Sequence, residues 1–476
     1  MLLAVAGAGA TVEYVHYRFG QVRKIAVPAL VPPAVRAKTA SAKTSLTILL
    51  VGSNTRTGLK PSEAKYFGTA EEVGGARSDV TMLLHLDPAT GTASLLSIPR
   101  DLFVPLPSHS VSGPVGKIDS ALNDGPEQLV ETITYDLGIP IDHYVEINFD
   151  GFQNVINALG GISMSFPTLL RDQYSGLNIT TTGCQRLNGG QALAVVRARH
   201  LSYEANGRWQ PDPLSDLSRI RRDHEFLKVF VNAMKAQGLN DPLRANAVLA
   251  NLVHQVTIDN NFSLNEMLDL LRRYQNINTN TVPTVTLPVS VVNNYIWHGI
   301  NYGDVVLPSE PEDHQLIDAW LGKGLPVSAP GSFTLTVRDT SGLGKGSSVA
   351  RQLNALGYSV QGLQYGNPPA KPAETLIRYG TNALADARSV RSVLHGVVMM
   401  QADSTVPAGA VVLDAGSLVT VSSPSAATTL LSPVTSTTNL PTPTTTTTTP
   451  TPGGQKLSSP FNPLQPFDPT GCTPGQ

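Results

Sequence analysis

The sequence predicts an α/β sandwich, followed by a small α/β domain and a disordered Thr/Pro-rich tail. Three observations carry this expectation. Short apolar runs alternate with amphipathic helical segments from residue 46 to about 325. The same alternation resumes after Pro330-Gly331 and stops near residue 421. Residues 422–476 then hold eleven Pro and fifteen Thr but only two charged residues, Lys456 and Asp468, a composition that builds no core.

Taken in order, Met1–Val12 is uncharged and apolar, and Glu13 ends the run. It would make only about 18 Å of helix against roughly 30 Å of hydrocarbon. With Tyr14, Tyr17, Arg18, Arg23 and Lys24 behind it, it reads as the end of a signal-anchor helix, without a convincing cleavage site. Residues 1–20 are thus expected to be a partial membrane anchor, and 21–45, with Pro28, Pro32 and Pro33, a stalk. Strands are predicted at Leu46–Val51, Val80–Leu86, Thr92–Ile98 and His143–Phe149, the second and third joined by the turn 87–91. Asp150 is expected to cap a helix 151–159 that Gly160-Gly161 stops, and Asn188 a helix through Ala194. Val195–His200 reads as extended, and Ser215 heads a helix to about Ala236. Residues 245–275 are helical in pattern and Val282–Val289 returns to strand. In the second unit, 331–421, strands are expected at 333–337, 358–363, 376–379 and 411–421, and helices at 348–356 and 385–394.

Of 476 residues only 15% are charged, and the net charge is −2, which excludes wholesale nucleic-acid binding. Two cysteines, Cys184 and Cys472, make no metal cluster, and one disulfide is possible only outside the cytoplasm. The histidines show no ligand spacing. Gly342–Ser347 lacks the spacing of a phosphate-binding loop, and Ser53 lacks that of a hydrolase elbow.

Six arginines fall between residues 197 and 222: Arg197, Arg199, Arg208, Arg219, Arg221 and Arg222. Planar guanidinium forks hold phosphate oxygens two at a time. On an extended 195–200, Arg197 and Arg199 share a face, and Asp216, Arg219 and Arg222 form a stripe on the next helix. The plainer reading is a solvated helix face paired with Asp212, Asp216 and Asp223. Pairing of the second and third strands would bring Asp79 and Arg100 to one sheet edge. A carboxylate beside arginines suits a divalent cation that bridges phosphates.

Six blocks occur in order: 47–56 (TILLVGSNTR), 75–83 (GARSDVTML), 97–101 (SIPRD), 117–122 (KIDSAL), 187–200 (LNGGQALAVVRARH) and 216–222 (DLSRIRR). Together they resemble the LytR–CpsA–Psr family across about residues 46–236, and residues 332–421 resemble the small domain that follows it in actinobacteria. The resemblance implies a mixed-sheet α/β/α sandwich with an apolar groove for a lipid. It also implies a membrane-anchored, extracytoplasmic phosphotransferase. Such an enzyme moves a glycopolymer from a polyprenyl-pyrophosphate carrier to peptidoglycan with Mg²⁺. Arabinogalactan is the first polymer to test.

By motif, Asp79 and Asn54 correspond to metal ligands, and Arg56, Arg100, Arg197, Arg199, Arg219 and Arg222 to pyrophosphate binders. Asp101 and Asp216 correspond to orienting or acid–base carboxylates. Two departures stand out: Asn54 replaces the usual Asp, and Asp119 stands where Asn is common. The same site would also serve a pyrophosphatase, with water as acceptor. A wall-polymer or lipid-phosphate binder that kept the fold without turnover is the non-enzymatic alternative.

Overall fold

A computed structural model of the chain describes residues 17, 20–32, 45–55, 75–107, 110–236, 255–322, 324–365, 372–422, 455–456 and 463–472. Met1–Val12, residues 33–44 of the expected stalk, Arg56 and residues 423–454 lie outside these. The stalk expectation is corrected for residues 21–32, where Arg23–Ile25 is a strand of the main sheet and Val27 and Leu30 are buried in its core. Among the described residues, no helix is long and apolar enough to cross a membrane.

Seven strands form the main sheet: β1 (Arg23–Ile25), β2 (Leu46–Ser53), β3 (Ser78–Asp87), β4 (Thr92–Ile98), β5 (His143–Asn148), β6 (Val256–Asp259) and β7 (Thr284–Thr286). Their spatial order is β1-β6-β5-β2-β3-β4-β7. β2, β3 and β4 pair antiparallel, whereas β5 runs parallel to β2 and β7 parallel to β4, so the sheet is mixed. Among the described residues, six α-helices accompany it: α1 (Pro126–Thr132), α2 (Phe149–Ala158), α3 (Gly189–Arg197), α4 (Asp216–Ala236), α5 (Leu264–Tyr274) and α6 (Glu312–Trp320). Leu49, Val51, Leu83 and Leu96 pack one sheet face against α1, the start of α4 and α6. Ile48, Leu86 and Ile258 turn the other way, against Met267 and Leu270 of α5. Period-two alternation along β2 thus feeds two layers, and the result is an α/β/α sandwich.

Several expectations are corrected here. Asn148, not Asp150, caps α2: its side chain accepts the Gly151 N–H at 2.8 Å, and Asp150 lies within the first turn. The segment read as helical from 245 to 275 holds strand β6, and α5 begins only after its cap at Ser263; residues 245–254 lie outside the described ones. Four residues are too few for periodicity to separate strand from helix. The run 282–289 splits at Pro288 into β7 and a strand Val289–Val292 in another sheet, because proline has no N–H for a ladder.

The second unit is a five-stranded sheet with its own core, flanked by helices Lys345–Ala355 and Leu384–Arg391. Its strand Val398–Ala402 was not foreseen. It docks on the turn after α1. Met400 N–H donates to the Asp136 carboxylate at 2.8 Å and Tyr379 Oη to the Tyr135 carbonyl at 3.0 Å. Arg391 pairs with Glu310 at 3.3 Å.

The expectation of a wholly disordered tail fails at its far end. Residues 463–472 return to the first unit, where Thr470–Gly471 extends the strand Ile162–Phe166 and Cys472 bonds Cys184. Phe467 stacks on Tyr203, with ring centroids 3.9 Å apart, and Asp468 is buried.

β5 is anchored by a buried histidine. His143 Nδ1 lies 3.0 Å from Asp259 and Nε2 3.2 Å from Glu266, with Phe262 stacked on the ring. Burial pulls its pKa down, but hydrogen bonds and charge from Asp259 and Glu266 outweigh that and hold it above the ordinary 6.5. The folded state therefore binds this proton more tightly, a stabilisation complete below about pH 6.5 and lost as pH rises through the folded value. His143→Gln should remove that contribution. Its deficit in urea midpoint against wild type is expected to be larger at about pH 6 than at about pH 9; equal deficits would refute the assignment.

Candidate functional site

The C-terminal ends of β2 and β4 and the start of β3 meet at one edge of the main sheet. Between β2 and β3 the register jumps from Gly52↔Val80 to Ser53↔Ser78, which leaves Asp79 as the extra residue of a bulge. Such bulges re-aim a side chain. Gly52 permits the close approach, since a Cβ there would sit 3.0 Å from Val80 Cβ. Beyond the bulge, Asn54 Oδ1 accepts the Arg77 N–H at 2.9 Å and Asn54 N–H donates to the Arg77 carbonyl at 3.0 Å. Asn54 is buried against this edge.

Arg100 follows β4 and faces back across the edge. Nη1 pairs with Asp79, Nη2 donates to Asp119 at 2.6 Å, and Nε lies 3.8 Å from Asp101. The short 3-10 helix Ile118–Asp124, which carries Asp119, is held by the Ile118 N–H to the Leu102 carbonyl and the Asp119 N–H to that of Arg100. Asp101 is bonded by Arg199 Nη2 at 2.7 Å and paired with Lys117 at 3.0 Å. Arg199 Nε reaches Asp216 at 3.2 Å, and Arg219 pairs with Asp216 at 2.9 Å and Asp223 at 3.6 Å. Arg219 also donates to the Asp79 carbonyl. Cations and carboxylates therefore alternate from the sheet edge to the first turns of α4.

The charges do not balance evenly. Burial lowers the Arg100 pKa, but Asp79, Asp119 and Asp101 together hold it above the ordinary value. Burial raises Asp101, yet Arg199, Arg100 and Lys117 outweigh it and hold the carboxyl below the usual range. Asp119 goes the other way, pushed up to about 6 by burial because it shares Arg100 with two further carboxylates. Asp223 is likewise pushed up to about 8 by burial, against Arg219 and Arg222. Asp119 Oδ1 is buried without a hydrogen-bond partner. Shared guanidiniums and an unmet carboxylate oxygen suit a site that takes a further cation.

The structure thus brings together Asn54, Asp79, Arg100, Asp101, Arg199, Asp216 and Arg219. Arg56 lies outside the described residues. Arg197 does not share a strand face with Arg199, because α3 continues through Arg197 after its capping box at Asn188. Its guanidinium lies 4.5 Å over the Phe149 ring. Arg222 is 1% exposed and turned inward, where it bonds Asp212 at 3.0 Å and the Ala198 carbonyl and lies 3.5 Å from Asp468. Arg221 donates to Asp468 at 2.6 Å. Of the plainer reading, the pairing with Asp212 holds for Arg221 and Arg222, but the solvated face does not, since both arginines are buried and share Asp468 as well. Lys117 and Asp468 had no assigned role in the sequence, and Asp223 entered only as a partner in the plainer reading. Asp468 carried one signal: it is one of two charged residues in the tail and lies four before Cys472.

The model of the LytR_cpsA_psr family matches residues 16–309, and that of the LytR cell envelope-related transcriptional attenuator matches residues 332–421. Among curated relatives, "Probable cell wall biosynthesis protein LcpB" of Corynebacterium glutamicum is 35% identical over 212 residues, covering 44% of this chain and 47% of LcpB. The cell wall biosynthesis protein LcpA of the same organism is 24% identical over 438 residues, 80% of this chain and 78% of LcpA. The polyisoprenyl-teichoic acid–peptidoglycan teichoic acid transferase TagV of Bacillus subtilis is 30% identical over 217 residues, 44% of this chain and 51% of TagV. The matched segment spans about half the length of LcpB and of TagV.

Proposed function

This chain belongs to the LytR–CpsA–Psr family, and from that premise we propose that it is a cell-envelope phosphotransferase. It would move a glycopolymer, arabinogalactan as the first guess, from a polyprenyl-pyrophosphate carrier to peptidoglycan through a phosphodiester link. The observation that carries this reading is the alternating network of Asp79, Arg100, Asp101, Arg199, Asp216 and Arg219 at one sheet edge. Phosphoryl transfer asks a protein chiefly for positioning and charge stabilisation, and such a network provides both.

In the step proposed, an acceptor sugar hydroxyl oxygen bonds to the phosphorus that carries the glycopolymer. The bond from that phosphorus to the bridging oxygen breaks, polyprenyl phosphate leaves, and the hydroxyl proton passes to solvent or a carboxylate. Arg199, with 29% of its side chain exposed, meets the diphosphate first, and Arg100 and Arg219 face the same edge. Asp101, held low, serves better to orient Arg199 and Lys117 than to take a proton.

Asp79 and Asn54 are the residues that would hold Mg²⁺. Among the described residues no group of three His, Cys, Asp or Glu forms a cation site. The rest of the shell would come from diphosphate oxygens and water, as is usual for this ion. When bound, the ion would neutralise the charge that builds on the departing polyprenyl phosphate. Polyprenyl phosphate should be released from a lipid-diphosphate-linked saccharide only with Mg²⁺ and peptidoglycan fragments present. Asn54→Asp should lower the Mg²⁺ concentration for half-maximal release and tighten Mg²⁺ binding in calorimetry without substrate. No release under any of these conditions would remove the activity, and an unchanged Mg²⁺ affinity would move the metal elsewhere.

A further inference from the structure

Next to the network, but not part of it, lies an open cleft of about 690 Å³. Its floor is the outer face of a small sheet in which Leu170–Asp172 pairs antiparallel with Leu177–Ile179 and with Ser202–Ala205. Register puts Asn178, Arg171 and Ser202 side by side in one row, while Leu170, Leu177 and Ile179 face the core. The row is polar, and two aromatic rings flank it. Tyr174 is 61% exposed and Trp209 38% exposed, with the Arg171 guanidinium 4.0 Å from the Trp209 ring centre.

Tyr174 is not a loose surface ring. The Asp172 carboxylate is 2% exposed and accepts the Tyr174 N–H at 2.9 Å, the Ser175 N–H at 3.3 Å and the His200 N–H at 2.9 Å. One buried carboxylate thereby ties the hairpin turn to the loop after α3, and the Tyr174 and His200 rings meet at 4.5 Å between centroids. His200 directly follows Arg199, which bonds Asp101 and Asp216. The cleft therefore opens one residue away from the network.

Resting on the proposed transfer, we infer that this cleft binds the acceptor, a strand of β-linked amino-sugar glycan. A fixed, exposed aromatic face packs against the C–H face of a pyranose, and a neighbouring row of carboxamide, guanidinium and hydroxyl groups bonds its hydroxyls and acetamides. A lipid chain would require an apolar lining that Arg171, Asn178 and Ser202 do not give. Inorganic phosphate alone has no use for the rings. A glycan seated here runs past His200, so one of its hydroxyls reaches the diphosphate beside Arg199.

The test is calorimetric titration of the full chain with soluble β-1,4-linked N-acetylglucosamine oligomers. Wild type is expected to bind, Tyr174→Ala to bind at least about tenfold more weakly, and Tyr174→Phe to retain wild-type affinity because it keeps the ring. Tyr174 is exposed, so circular dichroism should show all three folded. No binding by wild type, or equal affinity for wild type and Tyr174→Ala, would overturn the cleft. Polyprenyl phosphate release by wild type is read separately. Release without saccharide binding removes the cleft and keeps the activity, whereas saccharide binding lost in Tyr174→Ala without any release keeps the cleft and removes the activity.

Discussion

Arg100→Lys is expected to lower polyprenyl phosphate release about 10²–10³-fold, the usual cost of losing one preorganised donor at developing charge. Arg100 spans two carboxylates, Asp79 through Nη1 and Asp119 through Nη2, with Asp101 near Nε. An ammonium keeps the charge but has no fork, so it cannot hold both partners in the same geometry. It would leave Asp79 or Asp119 uncompensated and free to swing, and the bulge would no longer fix where Asp79 points. Arg199→Lys should act in the same direction by uncoupling Asp101 from Asp216. Release within threefold of wild type for both variants would show that the arginines are not the diphosphate site.

Asp468→Asn is expected to destabilise the first unit by about 3–5 kcal/mol, the scale for removing one partner of a buried ion pair. The carboxylate sits at 2.6 Å from Arg221 and 3.5 Å from Arg222, and all three side chains are at most 2% exposed. Asp212 also pairs with both arginines, at 3.8 and 3.0 Å. An amide would remove one of the buried carboxylates that balance these two guanidiniums. Urea denaturation of the full chain measures this directly. A midpoint equal to that of wild type would mean that residues 463–472 do not rest on α4. Activity should fall less than stability, since neither Arg221 nor Arg222 faces the sheet edge.

Local pairing was legible in the sequence. The tight turn 87–91 fixed β3 against β4, and that alone placed Asp79 near Arg100. Asn188 announced its helix as a cap, and the structure adds that Gln191 closes the cap reciprocally. What escaped was set by distant partners. β6 enters the sheet between β1 and β5, more than a hundred residues from β5, and four residues carry no periodicity to mark it. Helix α3 runs one turn past Ala194, and Arg197 packs on Phe149, so the expected alternation with Arg199 was lost to a tertiary contact. The bulge at Asp79 left no mark in the sequence beyond the small Ser78 before it. In the tail, bulk composition pointed to disorder, while a few residues that bury a charge, stack a ring and close a disulfide decided the fate of its end.

The bond between Cys184 and Cys472 joins positions 288 residues apart. It turns the chain from the middle of the first unit to the last residues into a covalent loop. The whole second unit and the Thr/Pro run hang within that loop. A protease that cuts once anywhere inside it produces no released fragment, because the two pieces stay joined through sulfur. In an oxidising envelope, a single nick in the Thr/Pro run would leave both units attached to each other, and only reduction or a second cut would part them. A covalent ring of this kind tolerates a cut that would shorten an ordinary linear tail.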